Sequence, residues 1–532
     1  MPSPLDTLDW IALAAYGALI LGTGWWFSRR RQTSAKDYFL AERSMPVWAV
    51  AISTAAAALS AATFTGVPVQ SYAGDVTYLS VNIGAILAIL IVAFVFIPAF
   101  YKANTTTVYG LLEQRLGPGA RTVASLAFLI GRVLALGARV YIAAIPGAIV
   151  LFGSDPAHLE SQDLIACIAV LTLVGTAYTL VGGVRSVIWT DVIQTSIFLG
   201  AAGAAVWILL RHIPASPAAI WSELSATPTA SGTKSTILSL STDPASPYTL
   251  WTSVIGMTLF YLAAYGTDHD LTQRMLTCEN ARKGGRSAIA AIFIQIPIIA
   301  IFLAIGSLLW AFYQSPTLMG ADAPTGELPE NRSVFVAFMS RYSPPGLLGL
   351  IIAGLYAAAL SSLLSGLNAM GASLYADVYR KAFPKASDRY DILAGRMAVV
   401  LSGLAVGGFA IVCVIWQENQ DLTLIDLALT VMNFAYAGLL AVFLTAILTR
   451  RGNSVSAVAA ILVGFVVISA LQPAWIGAWT SRIPGLAPTP DVASDLRLGE
   501  LKLAFPWQLT IGVAISFLVC IAGKRRAAVP ST

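Results

Sequence analysis

The sequence returns repeatedly to unbroken apolar runs of about 20 residues, the length a helix needs to cross a bilayer. Trp10–Phe27, Ile83–Phe100, Ile289–Trp310 and Trp507–Ala522 are examples, and about thirteen such segments can be counted. Lipid offers no hydrogen-bond partner, so each run must satisfy its own backbone as a helix. Composition agrees. Only 11% of the residues are charged and 57% are hydrophobic, whereas a soluble globular chain carries about a quarter charged residues. The expectation is an all-α integral membrane protein with the lipid bilayer as a partner. Its spans are placed near 9–28, 46–71, 77–101, 120–151, 162–182, 186–211, 249–272, 284–313, 345–370, 390–416, 421–448, 454–472 and 507–523.

The net charge of +5 comes from short basic clusters between the spans, so it does not point to a nucleic-acid partner. Cys167, Cys278, Cys413 and Cys520 are scattered and form no metal spacing or disulfide framework; small core residues are expected there. The opening "MPSPLDTLDW" carries acids, and the basic run "RRRQ" follows the apolar stretch. This is the reverse of a cleavable signal peptide, and it places the N-terminus outside and Arg29–Arg31 in the cytoplasm. In that orientation Arg282, Lys283, Arg286, Arg380, Lys381, Arg450, Arg451 and Lys524–Arg526 also lie inside; the opposite one inverts the positive-inside bias. Three long loops, 213–248, 314–344 and 473–506, fall outside and are rich in Pro, Ser, Thr and Gly. None is large enough for a separate enzyme domain. With three His residues and no nucleophile–base motif, a membrane enzyme is disfavoured.

Two spans are interrupted. "AISTAAAALSAATFTGVPVQSYAG" contains hydroxyls, Gly66 and Pro68, and "LFYLAAYGTDHDLTQRML" contains Gly266 followed by Asp268, His269 and Asp270. They stand five spans apart. Five is odd, so equivalent helices of two such halves run in opposite directions, the pattern of inverted-repeat transporters. Unwound backbone at membrane depth is tolerated where it lines a cavity. The alternative is that Gly and Pro only kink packed helices.

Two further stretches carry polar groups. In "GLYAAALSSLLSGLNAMGASLYADVY", Ala358, Ser361, Ser362 and Ser365 share one helical face. Hydroxyls there suit a hard cation, or they bond back to the preceding turn and pack against neighbours. In "GGVRSVIWTDVIQTS", Gly182, Gly183 and Arg185 make a tight turn, and Asp191, Gln194 and Thr195 share a face. A carboxylate facing lipid costs about 2.5–3.5 kcal/mol on insertion scales, so Asp191 is expected to face protein or water. It either helps hold a cation, caps the helix start or pairs with Arg185.

The segments "KDYFLAERSMPVW", "TVYGLLEQRLG", "GGVRSVIWTDVIQ", "TDHDLTQRML" and "AAALSSLLSGLN" resemble the sodium/solute symporter family, which includes sodium/glucose and sodium/sialic acid transporters. The resemblance covers roughly residues 36–450. It implies a LeuT-like fold whose core is two inverted five-helix repeats, with the first and sixth core helices broken. The chain then divides into an extra N-terminal helix and loop (1–45), a first repeat (46–212), an extracellular loop (213–248), a second repeat (249–450) and two extra C-terminal helices with a short tail (451–532).

The resemblance also implies site residues. One Na+ is bound by the carbonyls of Ala56, Leu59 and Ala358 and the hydroxyls of Ser361 and Ser362. A second Na+, or a release path for the first, matches Asp191, Ser361 and Ser365, although Leu364 stands where another Ser would complete that site. Ser60, Thr63, Asn82, Tyr261, Tyr265 and Gln295 match the substrate pocket. Sugar-carrying members place an acid and a Lys near Asn82 and Gln295, and both positions are neutral here. Ser60 and Thr63 resemble the pair that holds a carboxylate in the sialic acid transporters, assisted by an Arg of the third core helix; Arg132 and Arg139 are both candidates. Asp268 and His269 are read as support for the second break. The function implied is sodium-driven import of a small polar solute bearing a carboxylate, by a monomer in the cell's inner membrane with its C-terminus in the cytoplasm. A neutral sugar or polyol is the alternative substrate, and a sodium-independent uniporter is the more distant rival.

Overall fold

A computed structural model describes residues 5–28, 40–104, 107–154, 159–180, 184–324, 331–383, 388–417, 424–472 and 503–524. Arg29–Arg31, Gly182, Gly183 and most of the 473–506 loop lie outside the described residues. Among the described residues, nine helices are long and apolar enough to cross a membrane, or ten if one bent pair counts as a single span. Thr252–Gly266, Ser454–Ala470 and Phe505–Ile521 are shorter apolar helices. Every apolar segment of the sequence carries one of these helices. The protein is a multi-pass membrane protein. Among the described residues, β structure is confined to a hairpin pairing Pro228–Thr229 with Gly232–Thr233 and a single bridge between Ser239 and Thr249.

The chain forms two compact units that interleave along the sequence. The first comprises Met1–Leu79, Arg132–Ile237 and His269–Val431. It contains α1 (Thr7–Ser28), α2 (Val47–Ala58) and α3 (Val67–Ala73). It also holds the second half of α4 (Pro118–Gly147) and α5 (Val184–His212).

Its core is tied around α3. Phe64, in the π-helical turn that precedes α3, packs its ring 5.1–5.5 Å from those of Phe198, Phe302 and Phe335. Gly306 lies so close to the same segment that a Cβ there would strike the Pro68 carbonyl. At the end of α3, Lys234 folds in from the loop and donates to the carbonyls of Ser71 (3.3 Å), Tyr72 (2.9 Å) and Gly74 (2.8 Å). These are carbonyls a helix end leaves without partners. The Lys234 ammonium also sits 4.9 Å from the centre of the Trp310 ring.

Burial pushes the Lys234 amine down from its ordinary 10.5 to about 8, while Asp75 pulls the other way. The folded chain therefore sheds this proton before the unfolded chain does, and its contribution to stability grows as pH rises from about 8 towards 10.5. Thermal melts of wild type and Lys234→Met should show the difference moving in favour of wild type across that window. A difference that stays flat with pH would contradict the burial argument.

The N-terminal helix is anchored by one carboxylate. Asp9 is 2% exposed and accepts the N–H groups of Gly346 (2.9 Å) and Gly349 (2.7 Å). Those groups open α9 (Leu347–Ser373), where amides point at whatever can accept and negative charge is favoured. Gly346 has φ +85°, which a side chain would resist. Farther along, α9 packs on α5, where Gly354 leaves no room for a Cβ against Ala201.

The second unit comprises Ser80–Gly131, Leu238–Asp268 and Met432–Thr532. It includes α6 (Thr258–Gly266), which stops at Gly266. Helix resumes in the first unit as α7 (His269–Met275), followed by α8 (Ala281–Gln314). Thr267 and Asp268 form the interruption expected from sequence. Within the second unit, Tyr109 donates to the Thr267 carbonyl at 3.1 Å and Tyr436 to the Asp268 carboxylate at 3.0 Å.

Candidate ion and solute site

α2 ends at Ala58. Leu59 is extended, with φ −77° and ψ 137°, and the two halves of the broken span diverge by 63°. Side chains stabilise the interruption. The Ser60 N–H, which a continuous helix would direct to Ala56, donates instead to Thr63 Oγ1 at 3.3 Å. The Ala62 N–H donates to Ser60 Oγ at 3.3 Å, and the Thr63 N–H to the Ser60 carbonyl at 2.9 Å. This reciprocal cap starts a new helix at Ser60. It also removes the regular helical donors of the Ala56, Ala58 and Leu59 carbonyls. Buried carbonyls seek replacements.

α9 supplies a hydroxyl to that position. Ser362 Oγ lies 3.1 Å from the Leu59 carbonyl and 3.5 Å from that of Ala57. Ala358 lies one turn back on the same face of α9, and it and Ala56 are both buried. The donors offered here are carbonyls and hydroxyls, hard oxygens suited to an alkali cation and poorly suited to a thiophilic transition metal.

Behind this position runs a chain of ion pairs whose members are 1–2% exposed. Asp191 of α5 pairs with Arg274 of α7 at 3.2 Å. Arg274 pairs with Asp270, one turn earlier, at 2.6 Å, and Asp270 pairs with Arg132 of α4. Hydroxyls complete it. Ser361 donates to Asp191 Oδ1 at 2.5 Å. Ser53 donates to Asp191 Oδ2 at 2.5 Å and accepts from Arg274 Nε at 2.8 Å. Ser365 lies 3.3 Å from Asp270 and 3.1 Å from the Ser362 carbonyl.

The sequence-predicted residues are thus distributed unevenly. Leu59, Ser60, Thr63 and Ser362 gather at the break, with Ser361 and Asp191 beside them. Arg139 reaches it too, donating to the Ala57 carbonyl at 3.4 Å, and is half-buried. Arg132 instead faces Asp270. Asp191 does not pair with Arg185, whose guanidinium reaches the Ala41 carbonyl (3.1 Å) and Ser44 Oγ (2.7 Å). Gln194 turns to Tyr16 at 3.4 Å, and Thr195 bonds back to the Asp191 carbonyl at 2.7 Å. Gln295 is buried on α8 in the first unit. Asn82, Tyr261 and Tyr265 belong to the second unit, where the two tyrosine rings stack 6.3 Å apart. Sequence reading missed Arg274, Asp270 and Ser53. The i,i+4 spacing of Asp270 and Arg274 was the available signal.

Known proteins share this architecture. A solved structure of a Na+-coupled sialic acid symporter, in a substrate-bound outward-open state, superposes with a TM-score of 0.77 at 24% identity, over 98% of this chain and 100% of that one. The fold is therefore LeuT-like. The chain is 30% identical over 485 residues to the sodium/sialic acid symporter SiaT of Proteus mirabilis, covering 87% of this chain and 89% of the relative. It is 29% identical over 466 residues to the sodium/sialic acid symporter NanT of Aliivibrio fischeri, covering 85% of each. The model of the sodium:solute symporter family matches residues 38–464, and with an oxygen-lined break at the position that family's signature segments imply, the chain belongs to the sodium:solute symporter family.

Proposed function

We propose that the chain is a sodium-coupled symporter that imports a small carboxylate-bearing solute, sialic acid or another organic acid, by alternating access. It does so as a monomer in the cell's inner membrane, with its N-terminus outside. The observation that carries this reading is the break itself. One set of groups there accepts and another donates. The carbonyls of Ala56, Leu59 and Ala358, with the hydroxyls of Ser361 and Ser362, would hold sodium. The N-terminus that starts at Ser60 and the nearby Arg139 guanidinium would hold an anion. Family membership and the sodium/sialic acid symporters among the relatives support both halves.

Sodium would bridge α2 and α9 where the Ser362 hydroxyl reaches the carbonyls of the break. Holding them together favours one state of a two-state protein. Solute and sodium then strengthen each other's binding reciprocally, and the membrane potential adds about 2.3 kcal/mol per charge per 100 mV. Gln295, buried on α8 in the same unit as the break, would contribute to the solute pocket.

Arg139 gives the sharpest local test. A charge-assisted hydrogen bond is worth about 1.5–3 kcal/mol, so Arg139→Ala should raise the half-saturating concentration of an acidic solute by about 10- to 100-fold. The half-saturating sodium concentration should change little. The reading as a whole is tested by radiolabelled uptake into proteoliposomes, across sialic acid, short carboxylates, amino acids and sugars. Sodium-dependent uptake of an acid is expected. Uptake of a neutral sugar or polyol with all acids refused would overturn the carboxylate assignment.

A further inference from the structure

We propose that Arg185 is a positioning residue for the sodium seat: it latches a strained left-handed turn at the foot of α2, and α2 carries that latch to the carbonyls at its other end. The inference rests on the sodium-symport reading above and goes beyond it.

Ala41, Glu42 and Arg43 have φ of +46°, +52° and +56°. Three consecutive residues thus sit in the left-handed region, where a Cβ crowds the following carbonyl oxygen. Glycine would hold this conformation freely, but none of the three is glycine. Such a turn persists only where its surroundings hold it. Arg185, at the start of α5, donates to the Ala41 carbonyl at 3.1 Å and to Ser44 Oγ at 2.7 Å. The Ser44 N–H and hydroxyl close the turn on the same carbonyl, at 3.2 and 2.8 Å. The Met45 N–H donates to the Thr277 carbonyl, just past α7, at 3.1 Å. Ala41 and Met45 are buried in an apolar cluster with Ala49, Val184, Ile188 and Cys278.

α2 starts two residues after Met45. Its 12 residues make a stiff rod about 18 Å long. The strained turn lies before one end and the extended Leu59 follows the other. Sodium would pin the far end to α9, and Arg185 pins the near end to α5. A rod held at both ends has one position. A rod released at the near end can pivot, which takes its carbonyls off the ion. The strain in the turn favours release and sodium opposes it, so latch and seat are coupled reciprocally through one stiff element.

Cys278 reports the latch. It is fully buried in the cluster with Ala41 and Met45. Burial pushes its thiol up to about 11, and the thiolate is the reactive form, so the thiol reacts slowly while the turn is held.

The test measures how fast a water-soluble methanethiosulfonate modifies Cys278 in the full-length chain in lipid nanodiscs, in sodium and in choline. Peptide mass spectrometry separates this cysteine from the others. Sodium should slow the labelling of wild type. Arg185→Gln should label about 10-fold faster in choline and need about 10-fold more sodium for half protection, the loss of charge-assisted hydrogen bonds. Arg185→Lys, which keeps a cationic donor, should recover part of both. Glu42 is exposed, so Glu42→Gly removes strain and little else, and it should label about 10-fold more slowly than wild type in choline. Equal wild-type labelling in sodium and in choline, in a chain that shows sodium-driven uptake, would overturn the inference and leave symport standing. Absence of sodium-driven uptake would instead overturn the reading on which it rests. Glu42→Gly labelling as fast as wild type would show that the turn stores no strain to release. If Arg185→Gln does not fold, the sodium protection of wild type and the rate in Glu42→Gly still decide.

Discussion

Ser362→Ala should raise the sodium concentration that half-saturates uptake by about 10- to 100-fold and leave the chain folded. The size follows from the worth of a hydrogen-bonding oxygen to a full charge, about 1.5–3 kcal/mol, converted at about 1.4 kcal/mol per tenfold. The Ser362 hydroxyl is the α9 group that reaches the carbonyls of the break, at 3.1 Å from Leu59. Its loss removes one oxygen from the proposed ion shell and the direct tie between α9 and the break. The missing hydroxyl leaves only a small void and no buried charge, so folding should survive. A sodium titration of uptake at fixed solute measures the effect. Ser365→Ala is the control, because that hydroxyl faces Asp270 and the Ser362 carbonyl, and its titration should stay close to wild type. Unchanged sodium dependence in Ser362→Ala would remove this serine from the site.

Asp270→Asn should be the most damaging single change in the buried ion-pair chain. Asp270 stands between two guanidiniums, Arg132 and Arg274, all 1–2% exposed. Removing one partner of a buried pair costs about 3–5 kcal/mol, because the other charge is left without compensation. For a chain of marginal stability that is a large fraction of the whole. The variant should melt far below wild type or fail to accumulate as folded protein. The double variant Asp270→Asn with Arg132→Gln restores neutrality and should recover part of the loss, a coupling that the double-mutant cycle isolates. A variant that melts with wild type, alone and in the pair, would mean that the ion pairs carry no structural weight.

These predictions rest on features that differed in how legible they were. The spans could be read directly, because lipid forces helix and sets its length. That the second span is interrupted was legible from its small and hydroxyl residues, but the place was not: the break falls at Leu59, and Gly66 and Pro68 lie in the helical turns that follow it. The serine face of α9 followed from helical periodicity, although periodicity alone could not separate ion ligands from packing serines.

Long-range partners were not legible. Asp191 lies six residues from Arg185 in sequence, yet its cation is Arg274 on another helix, and only tertiary packing brings them together. The same holds for Arg132 and Arg139. Both are arginines on one face of one helix, and their different roles depend on whether Asp270 or the Ala57 carbonyl stands opposite. Lys234 read as one more loop lysine. Nothing local announces that it folds back onto the end of α3. The interleaving of the two units was hidden for the same reason, since contacts between distant segments leave no periodic trace in the sequence.

The central claim is that an interrupted helix and a serine pair form a seat for sodium that drives uptake. It is tested most directly by accumulation of labelled sialic acid in proteoliposomes under an inward sodium gradient, compared with the same liposomes in choline. Concentrative uptake with sodium, collapsing to background in choline and in Ser362→Ala, is the predicted result. Equal accumulation in sodium and in choline would contradict it.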